Sequence, residues 1–514
     1  MNFPFLSVIT FTPLVAALIV LMLPADRKNE ARVTALAAAA FTTLLALYLY
    51  FGYDVSAGGY QFVEHWQWVP QLGITYHMGV DGFSLPMVLL TALVLLTGVM
   101  ISWRIEDRAR EFMAFFLILA VGVFGVFAAL DLFLFFFLLE IAVFPKFLMI
   151  VIWGWPKTRE YGGMKLTLYL FIASVVALLG VLAMYVQSGS KSFDLLALAQ
   201  AQFPVDFQRV WFPVVFFGFC IMGAIFPFHS WAPDGHVAAP TAISMMLAGV
   251  EMKIGMYAAL RLGIALMPEG AKFWAPVIVL FGLVNVVYAA YIALIQTDFK
   301  YIIGFSSVSH MGLVMIGFAT LSTEGLVGAG LQMFSHGIMT ALFFSIVGMV
   351  YDRAHTRMLP ELGGLAKKMP WAAIGFMIGG FTSMGMPGFS GFVAEIPIYM
   401  GIWKGRALPL DGMPAWFAGL AGQAWFFPLV AIISVISIVI TAAYILLAVQ
   451  RVFFGNLPAQ FDHGEHAVGD VAALDKVAMA VLCGLMILVG VYPAIMYPLV
   501  YAGLQPVLQL LGVQ

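Results

Sequence analysis

The sequence predicts an all-α, polytopic membrane protein of about fourteen transmembrane helices, and three observations lead there. Of 514 residues, 63% are hydrophobic and 10% charged, with a mean hydropathy of +1.01, whereas soluble domains carry about 25% charged residues. Apolar runs of about 20 residues, the length that crosses a hydrocarbon core, recur along the whole chain. Lys and Arg collect in alternate connecting loops, as the positive-inside rule requires. The net charge of −2 offers no basic surface for nucleic acid. Cys220 and Cys483 both fall in apolar runs and read as packing residues rather than a disulfide or metal pair.

Spans one and two fall near 3–23 and 31–51. The first lacks a basic leader and a small-residue cleavage site, so it reads as a span rather than a signal peptide. A loop over 52–81 contains no Lys or Arg, and spans three to six follow near 82–102, 112–130, 132–153 and 165–187. Span seven, 209–228, carries Pro227 near its end and runs into FPFHSWAPDGH, which predicts a broken helix. Spans eight to eleven lie near 241–262, 273–296, 301–321 and 326–350. Span twelve, 371–403, is too long for one straight crossing and holds Gly385-Met386-Pro387-Gly388 at its middle, a second break. Spans thirteen and fourteen, 426–450 and 476–497, precede an interfacial tail over 498–514.

With the N-terminus outside, fifteen basic residues face inward: Arg27, Lys28, Arg32, Arg104, Arg108, Arg110, Lys157, Arg159, Lys300, Arg353, Arg357, Lys367, Lys368, Arg451 and Lys476. Six face outward: Lys191, Arg209, Arg261, Lys272, Lys404 and Arg406. That asymmetry predicts both termini on the outer, periplasmic side of a bacterial inner membrane. Two broken helices about five spans apart predict two inverted five-helix repeats. They divide the chain into 1–111 (three N-terminal helices), 112–266 (first repeat), 267–451 (second repeat) and 452–514 (loop, last helix and tail).

Ionisable residues inside the spans carry the functional signal, because each costs roughly 2.5–3.5 kcal/mol at a helix centre. Glu140 lies in DLFLFFFLLEIAVFPKFLMIVIWGW with no polar neighbour before Lys146. Lys146, six residues on, does not share a face with it, and snorkelling and functional readings of Lys146 both stand. In TAISMMLAGVEMKIGMYAALR, Glu251 and Lys253 are about 200° apart, so each needs a partner on another helix. A desolvated lysine is a usable proton carrier, and an interhelical salt bridge is the structural alternative for both. His310 and His336 fall in consecutive spans beside Ser309 and Ser335, a pattern for a wetted proton path. Glu395 follows the second break, where a carboxylate can exchange protons with water or serve as a helix-end charge. His229, Asp234 and His236 follow the first break and read as a cap or a point of proton uptake. Lys165 is a further accessory candidate. No histidine–carboxylate spacing suggests a metal site, and no phosphate-binding glycine loop is present.

The strings FFFLLEIAVFP, PFHSWAPDGHVAAPTAISMMLAGVEMKIGMYAALR, DFKYIIGFSSVSHMG, FSHGIMTALFF and MPGFSGFVAE occur in order between about 80 and 455. Together they resemble the antiporter-like, proton-translocating membrane subunits of NADH-quinone oxidoreductase (respiratory complex I). That family includes Mrp cation/proton antiporter subunits and membrane-bound hydrogenase subunits. The resemblance implies a fourteen-helix bundle around a water-filled charged axis, with proton transfer through Glu140, Lys253, His310, His336 and Glu395. A glutamate at 395 fits the chain M branch, where sister chains usually have lysine. It also implies that this chain holds no redox cofactor. NADH, FMN, iron–sulfur clusters and quinone would lie in partner subunits of the complex, beside neighbouring antiporter-like chains. One departure stands out: the lysine the family carries seven residues before the histidine of its PFH motif is Met222 here. Lys146 and Glu251 are charges at positions the family usually leaves apolar. The implied charge pair has then either moved, with Lys146 or Lys253 taking over, or lapsed. An antiporter without an attached oxidoreductase and a purely structural scaffold are the competing readings.

Overall fold

The computed structural model describes residues 3–405, 413, 415–462 and 468–513; Arg406 lies outside them. Seven long helices form the first half, with a short helical turn at Leu195–Gln200 before the last: α1 (Phe5–Met22), α2 (Lys28–Gly52), α3 (Ser84–Ile101), α4 (Ala109–Ala128), α5 (Leu132–Trp153), α6 (Arg159–Ser188) and α7 (Val205–Met222). After a break over 223–230 come α8 (Trp231–Ala238) and α9, which crosses as Thr241–Ile264. Then follow α10 (Pro268–Ile295), α11 (Phe299–Ala319), α12 (Thr323–Ala354), α13 (Pro370–Ser383), α14 (Ser390–Lys404), α15 (Phe426–Val452), α16 (Ala473–Val491) and α17 (Tyr497–Leu510). Among the described residues, 13 of these are long and apolar enough to cross a membrane alone. The half-helices α13 and α14 follow one another across the second break, over 384–389.

Both breaks fall where proline and glycine interrupt the apolar runs. In lipid such interruptions persist only where other groups satisfy the freed backbone. At the first, Asn285 of α10 accepts from Phe226 N (2.6 Å) and donates to the Ala224 carbonyl (3.0 Å). At the second, Gly385 has φ +61°, and a Cβ there would lie 2.8 Å from Glu395 Oε2. The turn is therefore glycine's for two reasons, its left-handed backbone and its closeness to the carboxylate.

Helices α9, α11 and α12 form the centre. α12 is entirely buried over its most apolar stretch, as is α9, and α8 packs on α11 while α9 packs on α12, joining the two bundles. α1 and α2 lie against α4 and α3. Three features differ from the sequence reading. The 52–81 loop contains an antiparallel hairpin, β1 (Gln61–Val69) with β2 (Ile74–Val80), pairing His65 with His77. α9 contains π-turns at Leu247–Glu251 and Ala259–Ile264. Arg261, counted above as a loop charge, is buried in α9 and paired with Asp81, because the hairpin's end folds over it.

Asp131 ties the hairpin to the bundle. It caps α5 by accepting from Phe133 N (2.9 Å) and Leu134 N (3.0 Å), and its other oxygen accepts from Thr75 N at 2.8 Å. Cys220 and Cys483 are free and buried. The α17 tail packs against α12, and the Gly503 and Gly82 backbones touch closely.

Candidate proton-transfer axis

Helix α9 builds the site because it presents charges to two sides. Glu251 and Lys253, two residues apart, project from opposite faces, and the π-turn beside them brings the Ala248 carbonyl against the Lys253 ammonium. π-turns of this kind recur at functional sites. Glu251 reaches across to α5 and forms a buried ion pair with Lys146. Lys253, fully buried, reaches α12, where its Nζ lies 2.7 Å from His336 Nδ1.

From there polar groups continue through the second bundle. The rings of His336 and His310 stand 5.3 Å apart. His310 Nε2 is 3.0 Å from Ser383 Oγ at the end of α13, and its Nδ1 is 3.4 Å from Glu395 Oε1 on α14. Gln332 of α12 bridges the last two, 3.2 Å from His310 Nδ1 and donating to Glu395 Oε1 at 3.2 Å. All six ionisable side chains, from Lys146 to Glu395, are buried. Several of their polar atoms have no hydrogen-bond partner among the described residues: Glu251 Oε1, His336 Nε2, and Gln332 Oε1 beside them.

Four of the five principal residues named from the sequence (Lys253, His336, His310 and Glu395) thus come together in a line. Glu140 does not join it. It lies half-buried on the outward face of α5, accepting from Ser174 Oγ at 2.7 Å, in an apolar groove of about 700 Å³ lined by Phe133, Phe137 and Leu182. The accessory candidates separate. Lys146 is 2% exposed and does not snorkel, because Glu251 holds it inside. Leu139, Val143, Trp231 and Met222 enclose this pair, with a cavity of about 10 Å³ between them, the lower limit for one water. Met222 therefore lines the very cavity in which the Lys146–Glu251 pair sits.

Lys165 and Asp234 form a second pair (2.7 Å) between α6 and α8, with Tyr301 donating to Asp234 at 2.9 Å. His229 stacks near Phe226 and Tyr288 at the break. His236 is fully buried against Phe344, with neither ring nitrogen partnered among the described residues. Gln332 and Ser383 were not singled out from sequence. A glutamine four residues before His336 was the available signal, since i and i+4 share a helix face.

Comparison with known proteins agrees with this architecture. The family described as "NADH:quinone oxidoreductase/Mrp antiporter, TM" matches residues 129–410. NAD(P)H-quinone oxidoreductase chain 4 3 of Trichormus variabilis is 34% identical over 494 residues, covering 96% of this chain and 89% of that one. NAD(P)H-quinone oxidoreductase chain 4 1 of Synechococcus sp. (strain JA-3-3Ab) is 37% identical over 497 residues, covering 96% and 90%. A chain of respiratory complex I from Thermus thermophilus with bound NADH superposes with a TM-score of 0.86 at 26% identity, over 99% of this chain and 100% of that one. A chain of the Mrp complex from Dietzia sp. DQ12-45-1b shares the fold, with a TM-score of 0.81 at 20% identity over 98% and 97%. With the family matched over more than half the sequence and relatives similar along nearly its whole length, the chain belongs to the NADH:quinone oxidoreductase/Mrp antiporter family of transmembrane proteins.

Proposed function

We propose that this chain is a proton-translocating membrane subunit of a complex I-type NAD(P)H–quinone oxidoreductase, linking electron transfer in partner subunits to proton movement across the membrane. The observation that carries the reading is the polar line Lys253–His336–His310–Glu395, buried between helices that are otherwise apolar. A structural scaffold has no use for it, since buried ion pairs and polar groups are often matched in stability by hydrophobic packing. Relatives named as quinone oxidoreductase chains at 34–37% identity favour this enzyme over a free-standing antiporter.

In this reading a proton on the Lys253 ammonium passes to His336, whose Nδ1 lone pair faces it, and through His310 to the Glu395 carboxylate. Unpartnered polar atoms along the line support a hydrated route, because buried polar groups are rarely left without a hydrogen bond. Lys146 and Glu251 provide the charge pair of the first half, beside Met222, which stands where the family carries lysine. When the pair is closed its field at Lys253 is small. When Lys146 moves off, the Glu251 carboxylate acts on Lys253 alone. Glu140, without a cation beside it among the described residues, faces outward toward neighbouring membrane subunits. NADH, FMN, iron–sulfur clusters and quinone belong in those partners. Both termini lie on the periplasmic side of the inner membrane, supported by fifteen inward against six outward basic residues.

The test is Glu395→Gln in the assembled complex, reconstituted in liposomes. Proton pumping should fall at least tenfold with subunit content unchanged. Full pumping would remove Glu395 from the route.

A further inference from the structure

The hairpin brings together three side chains that the proton axis does not use. His65 and His77 are direct cross-strand partners, with ring centroids 4.6 Å apart at 66°. Asp194, from the segment between α6 and α7, meets His77 Nδ1 in a close hydrogen bond. The nitrogen donors of the two histidines and a carboxylate oxygen of Asp194 all lie within 4.8 Å of one another.

We propose that His65, His77 and Asp194 form a binding site for a borderline transition-metal ion, Zn²⁺, with water as fourth ligand. Two imidazoles and a carboxylate are a donor set suited to tetrahedral zinc, with bonds of about 2.0–2.2 Å. Tetrahedral coordination at that length sets donors about 3.3 Å apart. The site must therefore contract by about 1.5 Å at its widest, and His65 can supply the movement because it is exposed while its strand is held by the ladder.

The other two ligands are already oriented. His77 is buried. The second oxygen of Asp194 accepts from Leu196 N (2.8 Å) and Ala197 N (3.1 Å), fixing the carboxylate. Binding breaks the His77–Asp194 hydrogen bond, and the proton on His77 Nδ1 then moves to its Nε2 by way of solvent.

The ion would act as a staple. His77 O accepts from Leu130 N, Leu130 O accepts from Leu195 N, and Asp131 next to them caps α5. Zinc would thus join both hairpin strands to the segment that seats α5, the helix carrying Glu140 and Lys146. On the orientation proposed above, the site faces the periplasm and is reached without crossing the membrane.

The test uses the intact purified complex, stripped with chelator, reloaded with Zn²⁺ alone and analysed for bound metal, alongside a His65→Ala form. That variant leaves the His77–Asp194 bond in place, so assembly is checked by subunit content. The proposal requires one zinc equivalent fewer, or at least tenfold weaker binding, in the variant. Co²⁺ loading should give a tetrahedral ligand-field band that the variant lacks. Asp194→Asn, which keeps the helix-capping acceptor, should also weaken binding. Equal zinc content and identical Co²⁺ spectra in wild type and His65→Ala would overturn it.

Discussion

Replacing Lys146 with Met tests the role given to the Lys146–Glu251 pair. Met is close in length to Lys and apolar, so the cavity beside Met222 stays filled while Glu251 loses its cation partner. Removing one partner of a buried ion pair costs about 3–5 kcal/mol. The functional effect follows from helix geometry. Glu251 and Lys253 sit two residues apart on opposite faces of α9, which sets their charges roughly 10 Å apart. At an effective dielectric of about 20, an uncompensated carboxylate at that distance attracts the ammonium by about 1.7 kcal/mol. That energy adds to the cost of proton departure from Lys253 and corresponds to a slowing of about 15-fold. The assay is proton pumping per NADH oxidised in proteoliposomes, with thermal stability of the complex in parallel. A double variant, Lys146→Met with Glu251→Leu, separates the two effects: stability should return, because an apolar pair replaces a broken ionic one, while pumping stays below wild type because, with the carboxylate's hold on Lys253 removed, no pair remains to switch it. Wild-type pumping by the fully assembled Lys146→Met complex would refute the reasoning.

Two further outcomes follow from the second break and the C-terminal end of α9. Gly385→Ala places a methyl 2.8 Å from Glu395 Oε2 at φ +61°, so it should cost about 1–3 kcal/mol in backbone strain and cut pumping by displacing the carboxylate; retained pumping and stability would show the turn to be plastic. Asp81→Asn leaves the Arg261 guanidinium buried among Tyr257, Phe83 and Tyr60 without its counter-charge, which should destabilise the subunit by about 3–5 kcal/mol, read as earlier thermal dissociation of the complex.

Much of this was legible in the sequence because lipid imposes simple rules. Span length, loop charge and the Pro/Gly interruptions located the crossings and both breaks, and the cost of burying a charge pointed to Lys253, His310, His336 and Glu395. Partnerships were harder to read. Helical periodicity placed Glu251 and Lys253 on different faces but could not say that Lys146, 105 residues earlier in the chain, would meet Glu251. Lys146 has the length to snorkel, and only the packing of α5 against α9 decides that it turns inward. Glu140 lies in a string as apolar as any core helix, so its outward face was invisible without neighbours to compare. The hairpin escaped notice because its alternation is weak and its register, which sets His65 opposite His77, depends on strand pairing rather than on spacing along the chain. The π-turns of α9 leave no compositional trace.

The most direct test of the central claim is Lys253→Met in the reconstituted complex, with proton pumping, NADH–quinone turnover and subunit content measured together. Lys253 is where the Glu251 side of α9 meets the His336 line, so the account predicts an assembled complex in which pumping and turnover fall together by at least tenfold. An assembled complex that keeps both at wild-type levels would make Lys253 structural and contradict the proposed route.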